Sequence, residues 1–273
     1  MRSDEIVMCA GTLLADPMAA TVDDIVATLE ASASAGCPAV SLWGFWADLC
    51  AGAGRPLRAE FDRLGLRVGM LEAAMAWVGG DTDETRAEAA RLAAQCADLG
   101  ARRLMAVTME PRLESELLAT TGLAALAEEL SPLGVQVAVE FLPWSGIPDL
   151  ATAWRIVEPV PTAGIVLDAW HWQRQPGGPA FDLLASIPGG RIHVLQLDDA
   201  GPPADVDPMV ETMTDRRLPG EGVVDLPALL AALDAIGADP VLAPEVFSAA
   251  NAADGPAEAA RRIVEATRRV VGA

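Results

Sequence analysis

Lysine is absent from the chain, and all 19 basic residues are arginines. This excludes Schiff-base catalysis and a phosphate-binding P-loop, both of which need a lysine amine. Tyrosine is absent as well, which removes one common acid/base group. Only two histidines occur, His171 and His193, so any nitrogen side-chain ligand to a metal must be one of them. No apolar run reaches the ~18 residues that a membrane span needs. The four cysteines, Cys9, Cys37, Cys50 and Cys96, show no CxxC spacing and read as reduced, buried thiols. The opening MRSDEIVMCAG holds too little apolar sequence for a signal peptide and runs straight into a strand-like segment, so a cytoplasmic protein is expected.

What is present is acid and aliphatic bulk. The formal charge is −20, and a surface this acidic repels a phosphate backbone, so nucleic acid is excluded as a partner. Hydrophobic residues make up 52% of the 273, enough for one large core.

Short β-branched runs alternate with longer helical patterns. The strand segments are 5–10, 37–43, 66–72, 103–108, 135–140, 164–168, 191–197 and 240–245. Most are nearly continuous apolar runs, as in parallel strands buried on both faces. Residues 82–99 read as a helix, stopped by Gly100. Leu226, Leu229, Leu230 and Leu233 recur at helical spacing behind Asp225, a good N-cap, and Ile263, Val264, Thr267, Val270 and Val271 form a similar stripe. Gly36, Gly65, Gly100, Gly134, Gly164 and Gly237 each stand just before a strand, where glycine closes the preceding helix. Eight β-then-α units without a linker predict one (β/α)₈ TIM barrel domain over 1–273. A doubly wound open sheet is the runner-up, but CAGTLLADP after the first strand is no Gly-rich phosphate loop. The longest irregular stretch, 198–222, follows strand seven and is expected to be functional.

On this frame Glu140 ends strand five, Asp168 ends strand six, His193 lies in strand seven and Glu245 ends strand eight. Barrel strand ends converge on one face, where active sites lie. Carboxylates packed together repel and resist ionisation, and a divalent cation resolves that repulsion. Glu140, Asp168, His193 and Glu245 are therefore the candidate metal ligands. Three oxygen ligands and one imidazole suit manganese or magnesium. Six of the seven tryptophans, Trp144, Trp170 and Trp172 among them, fall at or just after strand ends. They predict an aromatic-walled pocket for the C–H face of a sugar or an alicyclic ring. Few arginines lie near this face, which favours an unphosphorylated substrate.

The segments VAVEFLPWSG, GIVLDAWHWQR, RIHVLQLDDA, RRLPGEGVVDL and PEVFS resemble the sugar phosphate isomerase/epimerase group of the xylose-isomerase-like (β/α)₈ superfamily. The resemblance covers nearly the whole chain. It implies that Glu140, Asp168, His193 and Glu245 are the metal ligands and that His171 binds substrate. An arginine ahead of the PG, Arg216 or Arg217, would contact substrate oxygens. It also implies one divalent ion: manganese, magnesium, cobalt or zinc. The metal would polarise the carbonyl of a hydroxy-ketone and stabilise an enediolate, with Glu140 and Glu245 moving the carbon-bound proton. His171 would hydrogen-bond the carbonyl oxygen. The expected activity is a metal-dependent isomerase or epimerase of a sugar or hydroxy-ketone. The alternatives on the same site are a lyase that dehydrates dehydroshikimate or inosose, and an enzyme that cleaves C-glycosides. A DNA-repair nuclease of the same fold is disfavoured by the charge, and a non-catalytic scaffold by the intact ligand set. The expected partner is a small molecule, with no nucleic acid and no membrane; a homo-oligomer is compatible with all of this.

Overall fold

The computed structural model describes residues 5–272. Eight strands form one parallel sheet in sequence order: β1 (Val7–Cys9), β2 (Ala39–Trp43), β3 (Arg67–Ala74), β4 (Arg103–Ala106), β5 (Gln136–Glu140), β6 (Gly164–Asp168), β7 (Ile192–Gln196) and β8 (Val241–Ala243). Each neighbouring pair is parallel, and β8 packs back against β1. Helices fill the connections, and the result is the (β/α)₈ barrel that the alternating pattern predicts. All eight strands fall on the expected segments; β3 alone runs on, two residues past Glu72.

The helix ends follow their sequence signals. The helix Asp83–Leu99 is capped by Thr82, whose hydroxyl accepts from Thr85 N, and is closed by Gly100 at φ 71°. Asp225 caps Leu226–Ala235 by accepting from Ala228 N. In Pro256–Val271 the stripe side chains Ile263, Val264 and Thr267 are buried. Five of the six pre-strand glycines are left-handed helix stops: Gly36, Gly65, Gly100, Gly134 and Gly237. Gly164 is not. It is the first residue of β6, and it is small because the His193 ring lies against it.

Two apolar layers hold the barrel. Between strands and helices lies a large core that includes Leu29, Trp46, Trp77, Leu92 and Phe141. Inside the barrel, Val7, Ala39, Met70, Met105, Ala138, Val166, Val194 and Ala243 pack against one another. Successive strand side chains alternate sides, so the residue two positions on points the same way, one layer higher. That step leads from the apolar layer to Cys9, Ser41, Glu72, Val107, Glu140, Asp168, Gln196 and Glu245. A dry floor thus carries a polar ring at the C-terminal mouth.

The stretch 198–222 is more ordered than its sequence suggests. It contains the helix Pro208–Thr214, and isolated antiparallel bridges join Asp199 to Arg217 and Asp215 to Ser248. The buried carboxylate of Asp199 accepts from the backbone N–H groups of Ala200, Gly220, Gly222 and Val224 at 2.9–3.1 Å. A Cβ on Gly222 would stand 2.3 Å from Asp199 Oδ1, so only glycine admits this closure.

Candidate active site

Strand register decides which of the expected ligands meet. Asp168 pairs with Gln196 across β6 and β7, and Glu140 pairs with Val166. Glu140, Asp168 and Glu245 therefore reach the mouth together, and all three are buried. His193 does not join them. It lies three residues before Gln196, next to Gly164 at the opposite, N-terminal end of the barrel. At ~3.3 Å per residue, the four positions from Gly164 to Asp168 separate it from the carboxylates by roughly 13 Å. There His193 is half-buried in a groove with Ser131, Gln136, Thr162 and Gly190. Burial, with Arg103 and Arg191 nearby, lowers its pKa to about 4. His193 is thus no ligand in this site, and Gln196 stands in the place assigned to it.

Arg216 is the hub. It is 3% exposed, and its Nη1 donates to Asp168 Oδ2 at 2.6 Å, Asp198 Oδ2 at 2.5 Å and the Glu245 carbonyl at 3.1 Å, with Glu245 Oε2 at 3.2 Å. Its Nε and Nη2 bond Thr212, and Nη2 lies 3.4 Å from His171 Nε2. Burial opposes the charge, but Asp168, Asp198 and Glu245 outweigh it and hold the guanidinium firmly protonated. Arg217 points elsewhere. It is exposed and pairs with Asp215 at 3.1 Å. Of the two arginines the sequence left open, the structure brings Arg216 to the site.

The acidic side of the ledger is larger. Five buried carboxylates, Glu72, Glu140, Asp168, Asp198 and Glu245, surround this one guanidinium. Burial and the Glu245 charge push Glu72 up to about 8. Burial, partly offset by Arg216, brings Glu245 to about 7. Burial with Glu245 and Asp168 drives Glu140 well above the carboxylate range, and burial with Asp168 does the same to Asp198. Glu140 Oε1 has no hydrogen-bond donor among the described residues and lies 3.5 Å from His171 Nε2. Burial lowers His171 to about 3, so the ring is neutral. Glu245 Oε1 accepts from Gln196 Nε2 at 2.9 Å and from the Cys9 thiol at 3.4 Å.

The short helix Ala169–Arg174 positions the rest. Asp168 is its N-cap, accepting from His171 N at 2.7 Å, and Asp198 accepts from Trp170 N at 2.8 Å. His171 packs edge-on between Trp144 and Trp170, with 5.3 Å between ring centroids in both cases. The Arg216 guanidinium covers Trp170 at 5.8 Å. Trp172 faces away and is buried edge-on against Phe181, 5.2 Å off.

Reading by residue type missed Cys9, Glu72, Gln196 and Asp198. Glu72 carried a usable signal, because it ends its strand segment as Glu140 and Asp168 end theirs. Gln196 carried less, because an amide does not stand out among ionisable groups.

Residues 29–269 match the family described as xylose isomerase-like TIM barrel. Inosose isomerase of Bacillus subtilis (strain 168) is 30% identical over 161 residues, 56% of this chain and 56% of its own. 3-Dehydroshikimate dehydratase of Pseudomonas putida is 29% identical over 154 residues, 52% of this chain and 24% of its own. The match spans about half the length of the first relative and about a quarter of the second. Among solved structures, IOLI protein with a bound zinc atom superposes with a TM-score of 0.80 at 22% identity over 98% of both chains. D-allulose 3-epimerase from Methylomonas sp., in complex with D-allulose, superposes with a TM-score of 0.73 at 16% identity over 96% of this chain and 95% of its own. At such identities these two structures share the fold.

Proposed function

The chain belongs to the xylose isomerase-like TIM barrel family, and from that premise we propose that it is a divalent-metal-dependent isomerase or epimerase. The substrate is an unphosphorylated sugar or cyclic hydroxy-ketone, and Glu140 and Glu245 are the acid/base pair. One observation carries the reading. Among the described residues Glu140 Oε1 and Gln196 Oε1 are buried acceptors without a donor, at a mouth where carboxylates outnumber cations five to one. Buried acceptors in that state call for a cation. Glu140, Asp168 and Glu245, with the Gln196 amide oxygen, would hold such an ion; carboxylate oxygens of Glu140 and Asp168 and a ring nitrogen of His171 lie within 4.8 Å of one another, close enough to share one. An all-oxygen set suits manganese or magnesium better than cobalt or zinc.

When bound, the metal polarises a substrate carbonyl and offsets charge that develops on its oxygen. Glu140 takes a carbon-bound proton and Glu245 returns one, or the reverse, in a setting where burial keeps their basicity high. Arg216 pins Asp168 and Glu245 and removes part of their repulsion. Neutral His171 meets a substrate oxygen through Nδ1, which has no hydrogen-bond partner among the described residues. Among the described residues the buried indole nitrogens of Trp144 and Trp170 are also without partners, and they suit hydroxyl groups, while the ring faces suit C–H surfaces.

Elimination is the second reading, favoured by the match to 3-dehydroshikimate dehydratase. It begins with the same proton removal and ends with loss of a β-hydroxyl group. Sugars, inososes and dehydroshikimate incubated with protein, manganese and deuterium oxide provide the test. Exchange of the α-hydrogen without new ultraviolet absorbance indicates isomerisation, whereas a conjugated enone absorbs. Glu140→Gln and Glu245→Gln should each cost on the order of 10²–10⁴-fold in rate. Undiminished turnover in both variants, or turnover after complete metal removal, refutes the mechanism.

A further inference from the structure

We propose that the mouth holds a second divalent cation, bound by Cys9, Glu72 and Glu245 with the Ser41 hydroxyl beside them. The thiol of Cys9 and carboxylate oxygens of Glu72 and Glu245 all lie within 4.8 Å of one another, close enough to share one ion. Cys9 is 3.4 Å from Glu245 Oε1 and 4.0 Å from Glu72 Oε2. All three residues are at most 5% exposed. Their placement follows from the barrel: Cys9, Glu72 and Glu245 are upper-layer residues of β1, β3 and the end of β8, on the side of the mouth away from Glu140 and Asp168.

Ser41 supplies the independent observation. It pairs with Cys9 across β1 and β2 and is completely buried. Its hydroxyl lies close enough to Cys9 and Glu72 to favour their charged forms, but no hydrogen bond of ordinary geometry engages it among the described residues. Glu72 Oε1 is buried too, with no donor of ordinary hydrogen-bond geometry among the described residues. A polar oxygen completely withdrawn from water and left unpartnered costs free energy, and an ion in this cradle would engage it.

Charge points the same way. With all five carboxylates ionised, Arg216 leaves a formal surplus of four negative charges. One divalent ion at Glu140, Asp168, Gln196 and Glu245 halves that surplus, and a second, bound with a Cys9 thiolate, leaves a single negative charge. The two sites differ in softness. The first is all oxygen, whereas the second offers sulfur and suits zinc, cobalt or ferrous iron. The Cys9 proton is released to solvent when the ion binds. The second site shares Glu245 with the proposed function but needs no particular reaction.

Cobalt(II) is the probe. Protein stripped with a chelator is titrated with cobalt, and bound metal is counted by elemental analysis. A near-ultraviolet thiolate-to-cobalt charge-transfer band reports the Cys9 site. Wild type should take two equivalents and show the band. Cys9→Ser and Glu72→Gln should each take one, and Cys9→Ser should lose the band, with circular dichroism confirming the fold. Glu140→Gln should keep it. One equivalent carrying the band leaves this site standing and removes the first. One equivalent without the band, or two that neither Cys9→Ser nor Glu72→Gln reduces, overturns the proposal.

Discussion

The ring of His193 occupies the space that a Cβ would take on Gly164, with three ring carbons 2.5 Å from that position. Gly164→Ala should therefore cost roughly 1–3 kcal/mol, the usual penalty for overpacking. Combining it with His193→Ala should return most of that loss. Urea denaturation of the two single variants and the double variant measures the coupling. Purely additive losses would contradict the contact.

The same histidine separates two assignments of the metal ligand. His193→Ala should leave bound divalent metal unchanged by elemental analysis, because the ring lies at the far end of the barrel from Glu140 and Asp168. Gln196→Ala should bind less manganese than wild type. Metal loss in His193→Ala with retention in Gln196→Ala would reverse the assignment.

Stability should fall with acid partly through His193. Its folded pKa is about 4, below the ordinary 6.5, so the unfolded chain takes up the proton first. The contribution is fully present above about pH 6.5 and is lost as the pH drops towards 4. Between pH 7 and 5 the loss should amount to roughly 1–2 kcal/mol. His193→Ala should flatten this part of the curve of unfolding free energy against pH; an unchanged slope argues that the ring is freely solvated.

Arg216→Met should be severe. It leaves Asp168, Asp198 and Glu245 buried without their shared cation, and breaking such a cluster costs about 3–5 kcal/mol. Arg216→Lys should recover little, since one ammonium cannot replace contacts made through Nε, Nη1 and Nη2. Arg217→Ala should be nearly silent. Thermal melts of the three variants give the ranking, and equal effects at 216 and 217 would sink it.

Ligand binding should quench tryptophan fluorescence through Trp144 and Trp170, which flank His171. Trp144→Phe should lose a large share of the quench and Trp172→Phe little, because Trp172 packs on Phe181. A quench that follows Trp172 instead would put the ligand outside the mouth.

Much of this is legible in the amino-acid sequence. Apolar runs and helix stops located all eight strands, and the acidic strand ends Glu140, Asp168 and Glu245 do converge. Register was not legible. Nothing in RIHVLQL says which residue lies level with Asp168, and one histidine in a strand of apolar residues draws the eye to the wrong end. Glu72 is legible on the same ground as Glu140 and Asp168, because it too ends its strand segment in the sequence. Arg216 and Arg217 are adjacent beside an antiparallel bridge, where alternation sends one inward and one outward, and sequence does not say which. Gly164 read as a helix stop because spacing records that a residue is small, not what it makes room for.

Four backbone N–H groups converging on Asp199 make one carboxylate act as a non-covalent staple across a span of about two dozen residues. The position of Arg216 is consequently tied to the end of β7 rather than to the path the chain takes in between. Residues 202–207 are exposed along that path. The entropy of closing a loop grows only logarithmically with its length, by about 0.6 kcal/mol per doubling. The outer rim of the mouth can therefore be lengthened, shortened or rewritten at little thermodynamic cost, while the guanidinium beneath it stays in register with the carboxylates.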